Sequence, residues 1–137
     1  MVLYKGIQDD INLLGNYGCA FMCACYVLSL DIEVLPKKIA QCRNNLSIDD
    51  DFTILNWERL FETLAPSGPV ERKWKVVKTD KWTTDFDYCI GMYFNPKTNY
   101  THFVVLDKEK QIVFDPLKFS VTVKDGFLKN YRFVYAS

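Results

Sequence analysis

The single histidine of this 137-residue chain, His102, opens the run Tyr100-Thr101-His102-Phe103-Val104-Val105-Leu106, and Asp115 closes the run Gln111-Ile112-Val113-Phe114-Asp115. The turn Asp107-Lys108-Glu109-Lys110 joins the two. Far upstream, Asn16-Tyr17-Gly18-Cys19 leads into the most apolar stretch of the chain. A cysteine, a histidine and an aspartate are the residue types needed for thiolate attack on an amide carbonyl. A thiol attacks only once ionised, and two features favour that form: the positive end of a helix and a neighbouring imidazolium. Cys19 follows Gly18 at a helix entrance, so its position predicts the first, and His102 is the sole candidate for the second. Asp115 is placed to accept the other imidazole proton and so fix the tautomer and the ring.

Spacing supports the His102–Asp115 pairing. With the turn centred on Lys108-Glu109, an antiparallel hairpin sets the two residues opposite or nearly so at its open end, with Cβ atoms about 5 Å apart. Acyl transfer also needs donors for the oxyanion. The backbone N–H of Cys19 is one candidate. A side-chain amide is a common second, and Gln8, Asn12 and Asn16 all lie upstream.

The elements that must hold these residues follow from periodicity. Val2 to Ile7 suits a short strand or an extended arm, and Asn12 to Gly18 carries turn chemistry. Cys19 to Leu30 is apolar on nearly every side, the pattern of a helix buried all round. Val34 to Cys42 repeats apolar residues at helical spacing, with Asp31 as cap and Pro36 early, where a helix accepts it. Phe52 to Leu64 reads as a helix with one apolar stripe, ended by Pro66-Ser67-Gly68-Pro69. The period then changes. Trp74 to Val77, Tyr88 to Phe94, His102 to Leu106, Gln111 to Asp115 and Tyr131 to Tyr135 are β-branched and aromatic runs parted by turn residues. Helices followed by a meander of strands predict an α+β domain.

Composition narrows the function classes. The length suits one domain, and half the residues are apolar, enough for a core without staples. Seventeen basic residues balance 17 acidic ones, with no long run of one sign, so nucleic acid is not an expected partner. The N-terminus has no secretory pattern, and the apolar run from Cys19 is too short to span a bilayer, so a cytoplasmic protein without a membrane partner is expected. Five cysteines are an odd count, and Cys19, Cys23 and Cys25 crowd one helix, so reduced thiols are expected. With neither paired Cys-x-x-Cys modules nor several histidines, no metal is expected, and without a Gly-rich phosphate loop no cofactor is either.

Taken together, Gln8 on an N-terminal arm, Gly18-Cys19 at a buried helix, His102-Phe103-Val104-Val105 and Asp115-Pro116 resemble the papain-like cysteine peptidases. The nearest group is the bacteriocin-processing, double-glycine peptidases and their soluble relatives. Leu55-Asn56-Trp57-Glu58-Arg59-Leu60 is similar to their second helical stretch, and Tyr88 to Phe94 to the strand before their histidine. The resemblance runs nearly the whole chain in order. It implies a single papain-like domain over 1–137, with N-terminal helices, one of them central and buried, packed on a C-terminal antiparallel sheet. It further implies Cys19 as nucleophile, His102 as general base and acid, Asp115 as orienter and Gln8 as oxyanion donor, acting on a peptide or protein substrate.

Each residue also has an ordinary structural reading. Cys19 suits core packing, His102 a half-buried strand start, Asp115 a turn opener before Pro116, and Gln8 a solvated loop. The expected activity is therefore cysteine peptidase or amide hydrolase. The alternative is a papain-like binding or assembly module without catalysis, and a thiol redox protein built on Cys19, Cys23 and Cys25 is a third reading.

Overall fold

A computed structural model describes residues 18–65, 72–116 and 121–137. The chain divides into two compact units, 1–66 and 67–137, the first helical and the second built on a sheet. The architecture is α+β, with helices first and an antiparallel sheet after. Among the described residues no helix is long and apolar enough to cross a membrane.

In the first unit, α1 is Cys19–Val27, α2 Leu35–Asn44 and α3 Trp57–Leu64, with a short 3-10 turn at Ile32–Val34. The apolar run that opens at Cys19 stops being helical earlier than its hydropathy suggests. Ser29 adopts φ 52°, the Leu30 N–H donates to the Cys25 carbonyl, and the Ser29 N–H donates to the Tyr26 carbonyl. That pair of bonds closes a helix end with a left-handed residue just past it, a place where glycine is usual and serine gives no sequence signal. Nor is α1 buried all round, since Tyr26 is 45% exposed while Ala20, Phe21, Cys23, Ala24 and Val27 are buried.

The same device ends α2, with Leu46 at φ 61° and the Ser47 N–H donating to the Cys42 carbonyl. Pro36 lies in its first turn, as expected. Asp31 takes the cap position of the 3-10 turn instead of the helix, and makes no side-chain cap bond.

The stripe from Phe52 overestimates α3. Asp49 Oδ1 accepts the N–H groups of Asp51 and Thr53, which folds that stretch into a turn, and Ile48 pairs with Ile54 in an isolated bridge. The helix begins only after Asn56, whose side chain accepts the Arg59 N–H at 2.9 Å. It ends at Leu64, and Ala65 is extended, as a residue preceding proline should be. Lys38 Nζ donates to the Thr63 carbonyl at 2.8 Å and Asn45 Nδ2 to Thr63 Oγ1 at 2.8 Å, tying α2 to α3.

In the second unit the strands are β1 Trp74–Thr79, β2 Tyr88–Asn95, β3 Tyr100–Leu106, β4 Ile112–Phe114 and β5 Phe127–Ala136. The five strands expected from Trp74 onward are present, and the arm expected over Val2 to Ile7 lies outside the described residues, but the order β1-β5-β2-β3-β4 is a meander only from β2 to β4. The last strand returns between β1 and β2, pairing with both. A short helix absent from the sequence reading, α4 (Val121–Asp125), precedes β5.

One face of the sheet carries Cys89 of β2, Val104 and Leu106 of β3, and Tyr131 and Phe133 of β5, all buried, with Phe86 covering them. Trp82 meets Phe86, Tyr131 and Phe133 edge-on at 5.8, 5.2 and 5.9 Å. Such pairs contribute beyond simple area burial.

Gly126, between α4 and β5, lies so close to its neighbours that a Cβ would sit 2.2 Å from the Thr122 carbonyl oxygen and 2.4 Å from that of Phe94. Both are backbone atoms and neither can swing away. Gly126→Ala should therefore cost about 1–3 kcal/mol. A drop in the urea midpoint at unchanged m-value measures it, and an unchanged midpoint would mean that α4 moves freely.

Candidate active site

His102 lies on the covered face of β3, with Val104 and Leu106 following at every second residue. Only 3% of it is exposed. Its Nε2 is 2.5 Å from Asp115 Oδ1, and the Asp115 side chain is 15% exposed. With the carboxylate ionised, the Nε2–H donates to it, which leaves Nδ1 as the nitrogen through which any proton transfer must run.

The pair forms through a register that differs from the expected one. Leu106 pairs with Ile112, yet the next residue along β3, Val105, pairs with Phe114. Val113 is the extra residue of a bulge. Asp115 thus follows on beside Val104 and lies diagonal to His102 instead of opposite. A diagonal neighbour is about 7–8 Å away between backbones, a gap that an imidazole and a carboxylate together can span.

The turn that aims Asp115 is held at several points. The Asp107 carboxylate accepts the N–H groups of Glu109 and Gln111 at 3.0 and 2.8 Å, and Lys110 takes φ 65°. Lys108 Nζ donates to the carbonyls of Thr84 and Phe86 at 2.9 and 2.8 Å. Lys110 Nζ lies over the rings of Trp82 and Tyr131, 5.3 Å from each centroid. The hairpin tip is thereby fastened to the aromatic cover of the sheet, and the strand carrying Asp115 leaves it in a fixed direction.

Cys19 is the first residue of α1 and half-buried. Gly18 caps the helix and accepts the Met22 N–H at 2.8 Å. The N–H groups of the first turn have no acceptor within the helix, so they are the donors available to a developing negative charge. Cys19 belongs to the first unit and His102 and Asp115 to the second. Gln8, Asn12 and Asn16 lie outside the described residues. The structure brings together His102 and Asp115.

Three other thiols are chemically quieter. Burial pushes Cys25 up to about 12, with nearby Cys42 adding to it. Burial raises Cys42 to about 11 despite Lys38, and Cys89 to about 12 despite Lys110. These remain protonated thiols at neutral pH. Among the described residues no group of three or more His, Cys, Asp or Glu is arranged to hold a metal ion.

One residue at the site was missed in the sequence. Tyr93 of β2 is the register partner of His102. The turn residues Pro96 to Asn99 mark the hairpin that sets this pairing, and Asn99 at φ 62° closes it. Counting back from that turn was the available signal.

Comparison with protein-family models, with curated proteins and with solved structures finds no match to this chain.

Two measurements follow. Iodoacetamide at neutral pH should modify Cys19 ahead of Cys25, Cys42 and Cys89, read by peptide mass spectrometry; equal labelling would count against a distinct role for Cys19. Folding also raises these three thiols from 9.0 to between about 11 and 12, so the native state keeps protons that the unfolded chain releases. Their contribution is intact below about pH 9 and lost as pH climbs toward their folded values. The urea midpoint should be level from pH 7 to 8.5 and fall steadily above it.

Proposed function

We propose that this chain is a thiol hydrolase of papain-like fold that cleaves peptide or amide bonds. The observation carrying the proposal is the His102 Nε2–Asp115 Oδ1 bond. A histidine and an aspartate, 13 residues apart across a hairpin, meet in the base-plus-orienter geometry that nucleophilic catalysis uses. Cys19 at the first turn of α1 is the nucleophile suited to such a base.

In this reading His102 Nδ1 takes the Cys19 proton, and the sulfur forms a bond to the substrate carbonyl carbon. Backbone N–H groups at the start of α1, with Gln8, receive the oxyanion. The tetrahedral adduct collapses with loss of the amine, which leaves carrying the proton from His102. Water, deprotonated by the same imidazole, then attacks the thioester and releases the acid and the thiol. Asp115 holds the ring and stabilises the imidazolium formed twice in each cycle. No step calls for a metal or a cofactor. Five thiols in one small chain suit a reducing compartment, the cytoplasm.

The low exposure of His102 favours a second reading, a module of this fold that binds or assembles without turnover. In that case the pair is a buried polar contact that stabilises the sheet.

Cleavage of a fluorogenic peptide panel by the full chain separates the two. Cys19→Ala should remove turnover, and Asp115→Asn should lower kcat by on the order of 10²–10⁴-fold with the fold retained. Turnover that survives Cys19→Ala ends the thiol mechanism. A wild-type chain that neither cleaves any peptide nor reacts at Cys19 with a peptidyl electrophile supports the binding module.

A further inference from the structure

Tyr93 stands beside the His102–Asp115 pair and belongs to none of the roles assigned so far. It faces His102 directly across the β2–β3 ladder. Residues opposite each other in an antiparallel pair project from one face, with Cβ atoms about 5 Å apart. The shared face is the covered one, where Tyr93 packs against the cluster of Phe86, Cys89, Val104, Leu106, Tyr131 and Phe133. Asp115, the residue after the last of β4, reaches the pair from the other neighbouring strand through its bond to His102. On the far side of Tyr93, β5 supplies Leu128, brought there by a register shift between Met92 and Tyr93. Tyr93 is thus the aromatic residue flanking the pair on the β2 side.

We propose that Tyr93 is the positioning residue of the pair: its ring excludes water from the His102–Asp115 hydrogen bond and keeps the Nε2 proton committed to the carboxylate. Wet, that bond competes with solvent. Dry, the same bond is stronger and holds the ring in one orientation. The phenol itself reports the environment. Burial raises its pKa first, Tyr131 adds to the rise, Lys110 opposes it, and the Asp115 carboxylate raises it further. Asp115 acts on Tyr93 through space, and among the described residues no hydrogen bond joins them. The shielding is the work of the ring, and the hydroxyl makes no bond to the carboxylate.

As a statement about catalysis this rests on the hydrolase reading; as a statement about the pair it does not. The presence of one histidine makes the test direct, because the imidazole N–H resonances of the full chain belong to His102. The exchange of its Nε2 proton with water is measured by saturation transfer in the wild type, Tyr93→Phe and Tyr93→Val, valine being a good strand former without the ring. Tyr93→Phe should match the wild type within about twofold, whereas Tyr93→Val should exchange about tenfold faster or more, a change equivalent to weakening one hydrogen bond. With a cleavable peptide, Tyr93→Val should lower kcat and leave KM in place, and Tyr93→Phe should keep the wild-type kcat.

Wild-type exchange in Tyr93→Val would overturn the proposal, as would Tyr93→Phe exchanging as fast as Tyr93→Val. If Tyr93→Val does not fold by circular dichroism, Tyr93→Leu carries the same comparison. A protected proton exposed by Tyr93→Val in a chain whose turnover ignores Cys19→Ala would uphold the role of Tyr93 and reject the hydrolase.

Discussion

An imidazole held at 3% exposure has given up its water, and its ring nitrogens must find other partners. Leaving one buried donor unpaired costs about 1–3 kcal/mol, and bonds to an ionised acceptor are roughly twice as strong as neutral ones. The His102–Asp115 bond at 2.5 Å meets that need on one side of the ring. Much of the second unit can be read as what is needed to bring the carboxylate there. A regular β3–β4 ladder would continue the Leu106–Ile112 pairing, and the bulge at Val113 shifts Asp115 by one step instead. The lysines of the turn then fix the hairpin against Trp82, Phe86 and Tyr131.

This arrangement links the stability of the sheet edge to the placement of one carboxylate. A strand of three residues at the sheet edge is a weak element on its own. It is strengthened by a tip whose bonds run to the loop covering the sheet, Lys108 reaching the carbonyls of Thr84 and Phe86. The same fastening that prevents slippage of β4 sets the bearing of Asp115. A register slip by one residue would turn the carboxylate to the opposite face. The position of the Asp115 carboxylate is thus specified by backbone pairing before any side chain chooses a rotamer.

The legible parts of the fold were those with strong local signals. All five strands follow from β-branched and aromatic runs, and the turn at Asp107–Lys110 follows from its polar residues. Helix ends were less legible for a definite reason: Ser29 and Leu46 take the left-handed conformation where glycine would have announced a stop. Phe52, also left-handed, sits in a turn built by Asp49 within what reads as a helical stripe. The insertion of β5 between β1 and β2 is a long-range pairing choice, invisible to any local window. The bulge has the same character, since Val113 looks like any other strand residue until its partner strand is known.

The candidate site divides along the same line. His102 and Asp115 were legible because a short hairpin converts sequence separation into spatial proximity with little freedom. The diagonal offset was not, because a register shifted by one residue and a bulge of one more change the opposing partner while returning the carboxylate to the same face. Tyr93 was missed because interest in a strand falls first on its polar or ionisable members, and a tyrosine in Tyr88–Asn95 reads as core. Its relation to His102 is a property of the ladder. Where a polar group is held by a sheet, the residue directly across the ladder is thus as much a part of its environment as the group that binds it. For His102 that environment joins a carboxylate from one neighbouring strand to an aromatic ring from the other.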